Sequence, residues 1–126
     1  MVNYQSLIGL PWEYGVNDCF SLVRSYYQLA GIVLPDFKRP EDPDNSPSIF
    51  LEQAGGLGFY EICMDDARAG DVLIMRLGTP YPMHAAIYVG DQRILHQRRD
   101  SLSCVAALTR YYYKSIAAVY RYAANR

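Results

Sequence analysis

The sequence lacks the features that mark several large classes of protein. Its twelve basic and thirteen acidic side chains leave a net charge of −1, which argues against nucleic-acid or anionic-membrane binding driven by bulk charge. No apolar run reaches the roughly 18 residues of a membrane span. Residues 1–15 have neither the basic flank nor the long apolar stretch of a secretion signal. We therefore expect no nucleic-acid partner, no membrane insertion and no signal peptide.

Cysteine is scarce, and its spacing excludes the common metal and redox motifs. The three cysteines, Cys19, Cys63 and Cys104, cannot all pair within the chain, and no two have the short spacing of a zinc or CxxC redox site. A chain of 126 residues that is 51% apolar can bury enough surface to fold without disulfides or metal. We therefore expect a single domain over residues 1–126 with at least one free thiol.

The pattern of apolar residues divides the chain into a helical first half and a strand-rich second half. Apolar side chains at helical spacing predict a helix from about Asp18 to Ala30, with Asn17 or Asp18 as N-cap and Gly31 as a left-handed stop. The other predicted elements are a proline-rich loop over 38–47, a short helix that starts at Ser46-Pro47 and ends before Gly55, and strands over 57–62, 72–77, 84–89, 93–97 and 117–122. Residues 103–113 fit either helix or strand, with helix slightly preferred. Helices followed by an antiparallel sheet indicate an α+β fold.

The chain has two histidines, His84 and His96, and they fall on the two strands of a predicted hairpin. A register centred on Gly90 sets them directly opposite each other, with Cβ atoms roughly 4.5–5.5 Å apart. A register displaced from this one by two residues also keeps them on one face of the sheet. A plain two-residue turn at Gly90-Asp91 puts them on opposite faces instead. A shared site therefore requires a three-residue loop or a bulge at Gly90. The alternative is two unrelated strand histidines.

The same parity sorts the first hairpin strand into two sets of side chains. The cleft set is His84, Ala86 and Tyr88, and the core-packed set is Ala85, Ile87 and Val89. Ala86 is small where the backbone of a substrate would have to pass.

Cys19 has the most favourable setting for a reactive thiol. It lies in the first turn of the predicted helix, where partial positive charge stabilises a thiolate and lowers a thiol pKa from about 8.5 toward roughly 3.5–7.5. Cys63 and Cys104 have no comparable setting, and we expect them to be packing residues. A nucleophile on a helix, a base on a strand and a second group that orients the base are the parts of an acyl-transfer site.

Three segments occur along the chain in the order LPWEYGVNDCFSLVRSYYQLAGIVLP, GDVLIM and HAAIYVGDQRILH. They resemble the NlpC-type cell-wall peptidase domains, a compact branch of the papain-like cysteine peptidases, and in particular the domains of this type in phage tail tip proteins. The resemblance implies a papain-like fold in which the helix bearing the nucleophile packs on a small antiparallel sheet. It implies no metal and no organic cofactor.

The resemblance also implies roles and a substrate. It makes Cys19 the nucleophile, His84 the general base and His96 the residue that orients this base. The implied reaction is hydrolysis of the amide between D-γ-glutamate and diaminopimelate or lysine in peptidoglycan stem peptides. Synthesis is then expected in the host cytoplasm, and action at a phage or prophage tail tip, on the periplasmic or cell-wall side, with tail tip proteins as partners. The alternatives are a peptidase that processes a tail protein and a structural tail-tip component without activity.

Three residues near the nucleophile are expected to contact the substrate, namely Trp12, Tyr14 and Asp18. The resembled family usually has tyrosine near the oxyanion site where this chain has Trp12, and often serine after the nucleophile where this chain has Phe20. Both departures bear on how the amino end of a stem peptide is recognised. The backbone N–H of Cys19 is the expected oxyanion donor.

The pair Arg98-Arg99 is able to hold a substrate carboxylate. Next to Asp100, however, it is more typical of a solvated loop end. The sequence alone therefore assigns it no role.

Overall fold

A computed structural model describes residues 2–125 as an α+β fold, which confirms the predicted fold class. Its helices and strands are α1 (Cys19–Leu29), α2 (Ile49–Gln53), β1 (Phe59–Ile62), β2 (Val72–Met75), β3 (His84–Gly90), β4 (Arg93–His96), β5 (Cys104–Ala107), α3 (Arg110–Ser115) and β6 (Ile116–Tyr122). No helix within these residues is long and apolar enough to cross a bilayer.

The helix α1 follows the predicted periodicity to within one residue at each end. The side chain of Asp18 caps it by accepting a hydrogen bond from the backbone N–H of Ser21 at 3.0 Å. Gly31 follows the helix with φ +83°, a conformation that glycine adopts without strain. One face of α1 is buried in the core through Phe20, Leu22, Val23, Tyr26 and Tyr27.

The six strands form one antiparallel sheet in the order β1-β6-β2-β3-β4-β5. All four residues of β2 are buried, as expected for a strand inside a sheet that is covered on both faces. The helix α1 packs against the neighbouring strand β3. This contact brings the start of α1 to the strand that begins with His84.

The two sides of β3 both pack into apolar clusters. Ala85 and Ile87 belong to the cluster beneath α1, as predicted for the core set. Ala86 and Tyr88 were expected to line a cleft, and that expectation is wrong, because they are buried in a second cluster with Leu108 on the opposite side of the sheet. The segment from β5 to α3 contributes to this second cluster and covers Ala86 and Tyr88. His84, the first residue of β3 and the third member of the cleft set, lines a pocket.

Several element boundaries differ from the sequence expectation, and two of these differences have a visible cause. The short helix α2 is capped by Ser48, whose hydroxyl accepts from the N–H of Leu51, rather than starting at Ser46-Pro47. Residues 103–113, for which helix was preferred, divide into the strand β5 and the helix α3. Pairing of β5 with β4 supplies a tertiary contact that outweighs the local helix preference of its alanines.

Candidate active site

A bulged hairpin brings the two histidines to one face of the sheet. Ala86 lies opposite His96 in the β3–β4 register, and the register then shifts between Tyr88 and Gly90. Gly90 has φ +88°, and this positive value suits the bulge. His84 is therefore two places from direct opposition to His96, on the same face. The bulge at Gly90 that a shared site required is confirmed.

The two imidazoles contact each other directly. Nε2 of His84 lies 2.9 Å from Nδ1 of His96, and the ring planes are inclined by 76°. Both side chains are buried. When His84 donates from Nε2, its Nδ1 carries the lone pair that a general base needs. The contact thus has the geometry of a base and the group that orients it.

A tyrosine of α3 packs against the ring of His96. The ring of Tyr112 meets the His96 ring nearly at right angles, at 82° with centroids 5.2 Å apart. Thr109 caps α3 by accepting from the N–H of Tyr112, which fixes the start of this short helix. The sequence offered a visible run of tyrosines over 111–113, but nothing in it placed one of them against a histidine.

Cys19 is half-buried at the start of α1, and its thiol is not activated in the way the sequence predicted. Burial, together with the charge of Asp18, raises the pKa of Cys19 to about 12. Hydrogen bonds from the backbone N–H groups of Ala85 and Phe20 lower this pKa without compensating for burial. The expected depression at the helix end is therefore wrong, because loss of solvent outweighs the helix-end charge.

Burial also holds both imidazoles neutral. Together with the neighbouring His96 and the cation Arg98, it lowers the pKa of His84 to about 3. It lowers the pKa of His96 to about 4, again assisted by Arg98. Because the pKa of Cys19 is shifted in the opposite direction, the thiol and both imidazoles of the free site are neutral near pH 7.

Asp18, an expected substrate contact, has its carboxylate fully occupied. One oxygen accepts from the N–H and hydroxyl of Ser21 and from Nη2 of Arg39, and the other accepts from the N–H of Gly15 and from Nε of Arg39, all at 2.9–3.1 Å. Burial by itself would raise the pKa of Asp18, but the hydrogen bond from Arg39 and those from the backbone bring it below the usual range. The carboxylate lines the pocket as a helix cap and ion-pair partner, and no acceptor position is left for a substrate.

Cys19 and His84 line one pocket of about 310 Å³, near the lower end of the roughly 300–1,000 Å³ of ligand sites. Trp12 and Tyr14, the other two expected substrate contacts, stack on each other in this pocket with centroids 6.3 Å apart. The hydroxyl of Tyr14 donates to the carbonyl of Pro40 at 2.5 Å and so anchors the proline-rich loop. Of the six site residues expected from the sequence, all except His96 line this pocket.

The pocket contains charged residues that the sequence analysis had not assigned to it. Arg99 makes two hydrogen bonds to Asp44, at 2.8 and 3.1 Å, which connect the loop after β4 to the proline-rich loop. Arg98 also lines the pocket. The adjacent Arg98-Arg99 pair was the available signal, but its position relative to the pocket depends on the path of the loop.

The remaining cysteines lie away from this pocket and are exposed. Cys63 follows the edge strand β1, and Cys104 begins the edge strand β5. Their expected role as packing residues is therefore wrong. Within residues 2–125 no group of three His, Cys, Asp or Glu side chains is arranged to hold a metal ion.

Comparison with known sequences identifies the family. The sequence model of the NlpC/P60 family matches residues 9–121. The chain belongs to the NlpC/P60 family. It is 42% identical over 98 residues to tail tip assembly protein K of Escherichia phage lambda, an alignment that covers 77% of this chain and 49% of that protein. The chain therefore spans about half the length of this relative.

Solved NlpC/P60 structures share the fold. A lipoprotein-like NlpC/P60 protein of Staphylococcus aureus superposes with a TM-score of 0.65 at 25% identity, covering 92% of this chain and 37% of that one. The NlpC/p60 domain of the peptidoglycan hydrolase SagA superposes with a TM-score of 0.59 at 19% identity, covering 92% of this chain and 90% of that one. These likenesses confirm the predicted papain-like arrangement of helix and sheet. They also show that the family includes peptidoglycan hydrolases.

Proposed function

We propose that this NlpC/P60 domain is a cysteine peptidase that hydrolyses amide bonds of peptidoglycan stem peptides. Cys19 is the nucleophile, His84 the general base and His96 the orienting residue. The observation that carries the proposal is the 2.9 Å contact between His84 and His96, made at the pocket that also exposes Cys19 at a helix start. A helix-borne thiol beside an oriented imidazole is the arrangement used for acyl transfer.

The proposed reaction begins from the neutral pair. Because Nε2 of His84 is engaged by His96, its Nδ1 accepts the thiol proton of Cys19 as the sulfur attacks the substrate carbonyl. The backbone N–H of Cys19 stabilises the oxyanion. The intermediate collapses to a thioester as His84 returns the proton to the leaving amine. Water, activated by His84, then hydrolyses the thioester and restores the thiol.

The substrate and the setting rest on the relatives. Lambda protein K is a tail tip assembly protein, and SagA is a peptidoglycan hydrolase with a domain of this fold. By analogy with these two relatives, we propose that the present chain acts on the γ-D-glutamyl amide of stem peptides. The proposed place of action is a phage or prophage tail tip on the cell-wall side. Residues 1–126 act as one domain in this proposal, and tail tip proteins are its partners.

A non-catalytic role in the tail tip is the second candidate. One observation favours it: the ion pair of Arg99 and Asp44 joins two loops that line the pocket. A pocket kept closed by these loops would admit no substrate. Measurement of activity separates the two candidates.

The decisive experiment is digestion of purified peptidoglycan, with the released peptides identified by mass spectrometry. Cleavage between D-glutamate and the diamino acid is expected for the wild-type chain. The Cys19→Ala variant is the control, and it should retain the far-UV circular dichroism of the wild type while releasing nothing. If wild type and variant release the same products, the proposed function is wrong. If purified tail proteins are cut and peptidoglycan is not, the substrate is wrong while the peptidase assignment stands.

A further inference from the structure

The charges that line the pocket do not balance. Five charged side chains line it: Asp18, Arg39, Asp44, Arg98 and Arg99. Asp18 pairs with Arg39, and Asp44 pairs with Arg99. Arg98 has no carboxylate partner in the part of the chain that the structure describes. The pocket therefore has one uncompensated positive charge.

The backbone that carries Arg98 is fixed next to the histidine pair. Gln97, the preceding residue, is buried, and its amide nitrogen donates to the carbonyls of Leu10 at 2.7 Å and Ser101 at 3.1 Å. The carbonyl of Arg98 itself accepts from the N–H of Ser101 at 3.1 Å. Only one residue separates Arg98 from His96. The exposed side chain of Arg98 thus starts from a fixed point of the backbone and lines the pocket that also contains Cys19 and His84.

Neither carboxylate that lines the same pocket is free to bind a positively charged group. Both oxygens of Asp18 are occupied by five donors. Both oxygens of Asp44 accept from Arg99. A substrate ammonium would therefore meet a net positive pocket with its carboxylates already engaged, whereas a carboxylate would meet a free guanidinium, which binds carboxylates through two parallel hydrogen bonds.

We propose that Arg98 forms a subsite for a substrate carboxylate adjacent to the scissile amide, and that the pocket does not recognise a free amino terminus. This inference rests on the proposed function. A glutamyl residue linked through its γ-carboxyl keeps its α-carboxylate free, a few bonds from the carbonyl that Cys19 would attack. That carboxylate is the group that Arg98 would hold.

The test compares two synthetic stem tripeptides that differ at one group. In one, the γ-linked D-glutamyl residue has a free α-carboxylate, and in the other this group is a carboxamide. Wild-type kcat/KM should favour the carboxylate peptide by about 10- to 100-fold, as expected for a hydrogen bond between charged groups. Arg98→Gln should reduce cleavage of the carboxylate peptide to about the level of the carboxamide peptide. Arg98→Lys should retain part of the preference.

The double variant Asp44→Asn with Arg99→Gln is the matched control, because it removes a neighbouring ion pair and leaves the net charge of the pocket unchanged. It should leave the preference for the carboxylate peptide intact. An equal preference in wild type and Arg98→Gln would overturn the subsite. Acetylation of the peptide amino terminus should change kcat/KM by less than about threefold, since both carboxylates of the pocket are already engaged. A larger loss would overturn the second half of the proposal.

Failure of the proposed function gives a different result. Wild-type protein that cuts neither peptide refutes the proposed activity on stem peptides, and the subsite is then tested by calorimetric binding of the same two peptides. Tighter binding of the carboxylate peptide to the Cys19→Ala chain, abolished by adding Arg98→Gln, supports the subsite. Equal affinities of this chain for the two peptides, or no binding of either, refute it.

Discussion

Acidification should destabilise this domain through its two histidines. Both are buried, and burial lowers the pKa of His84 to about 3 and that of His96 to about 4. An exposed histidine in the unfolded chain titrates near about 6.5. Below that pH the unfolded state binds protons that the folded state does not, so the free energy of unfolding falls as the pH falls.

The magnitude follows from the titration of the unfolded chain. Between pH 7.5 and 5.5 each histidine that stays neutral in the folded state reduces the free energy of unfolding by about 1.4 kcal/mol. The pair therefore contributes a loss of about 2.7 kcal/mol, a large part of the roughly 5–15 kcal/mol that stabilises a typical domain. The chain has only two histidines, so no other side chain with an ordinary pKa titrates in this interval.

The assay is urea unfolding at constant ionic strength, followed by far-UV circular dichroism at half-unit steps of pH. His96→Gln should halve the pH dependence, because one buried histidine remains. The double variant His84→Gln with His96→Gln should show almost none. Stability of the wild type that is independent of pH between 7.5 and 5.5 would refute the conclusion that both imidazoles are held neutral by burial.

Three further predictions concern the site and its support. Cys19→Ala should abolish hydrolysis while changing the free energy of unfolding by less than about 1.5 kcal/mol, since the side chain is small and half-buried; measurable hydrolysis by this variant would exclude Cys19 as the nucleophile. Tyr112→Leu should lower kcat several-fold at unchanged KM, and Tyr112→Phe should retain the wild-type value, because the ring rather than the hydroxyl contacts His96; equal kcat in wild type and Tyr112→Leu would contradict a positioning role. Asp18→Asn should destabilise the fold by about 1–3 kcal/mol in urea unfolding, because it removes one of the two carboxylates, Asp18 and Asp36, that pair with Arg39; a loss below about 0.5 kcal/mol would mean that the pairing with Asp36 alone satisfies Arg39.

Strand parity made the histidine pair predictable. Two side chains on adjacent antiparallel strands share a face only for registers of one parity, and a glycine capable of positive φ lay where the bulge had to be. In the observed register His96 lies opposite Ala86, two residues from His84. A displacement by an even number of residues keeps both histidines on one face. The hydrogen-bonded contact of His84 and His96 therefore agrees with an expectation drawn from two residue numbers and one glycine.

What parity could not predict was the covering of the sheet. Alternation tells which side chains share a face, but it does not tell what packs on that face. Ala86 and Tyr88 share the side of His84, and they are buried because the segment through Leu108 packs over them. The raised pKa of Cys19 escaped the sequence for a related reason, since its burial depends on the packing of α1 against β3.

The sequence could not predict the path of the loop after β4 either. Arg98 and Arg99 are adjacent and identical in type, yet one is neutralised by Asp44 and the other is left unpaired. Asp44 lies 55 positions away in the chain, so no local pattern distinguishes the two arginines.

The exposed cysteines at the sheet edges determine how the protein behaves in an oxidising medium. Cys63 and Cys104 belong to opposite edges of a six-stranded sheet, so five inter-strand spacings of about 4.8 Å separate them by roughly 24 Å. A disulfide requires Cα atoms within about 7 Å, so these two thiols cannot bridge within one folded molecule. Oxidation can join them only between molecules, and with two such thiols per chain the covalent products extend to linear polymers rather than stopping at dimers.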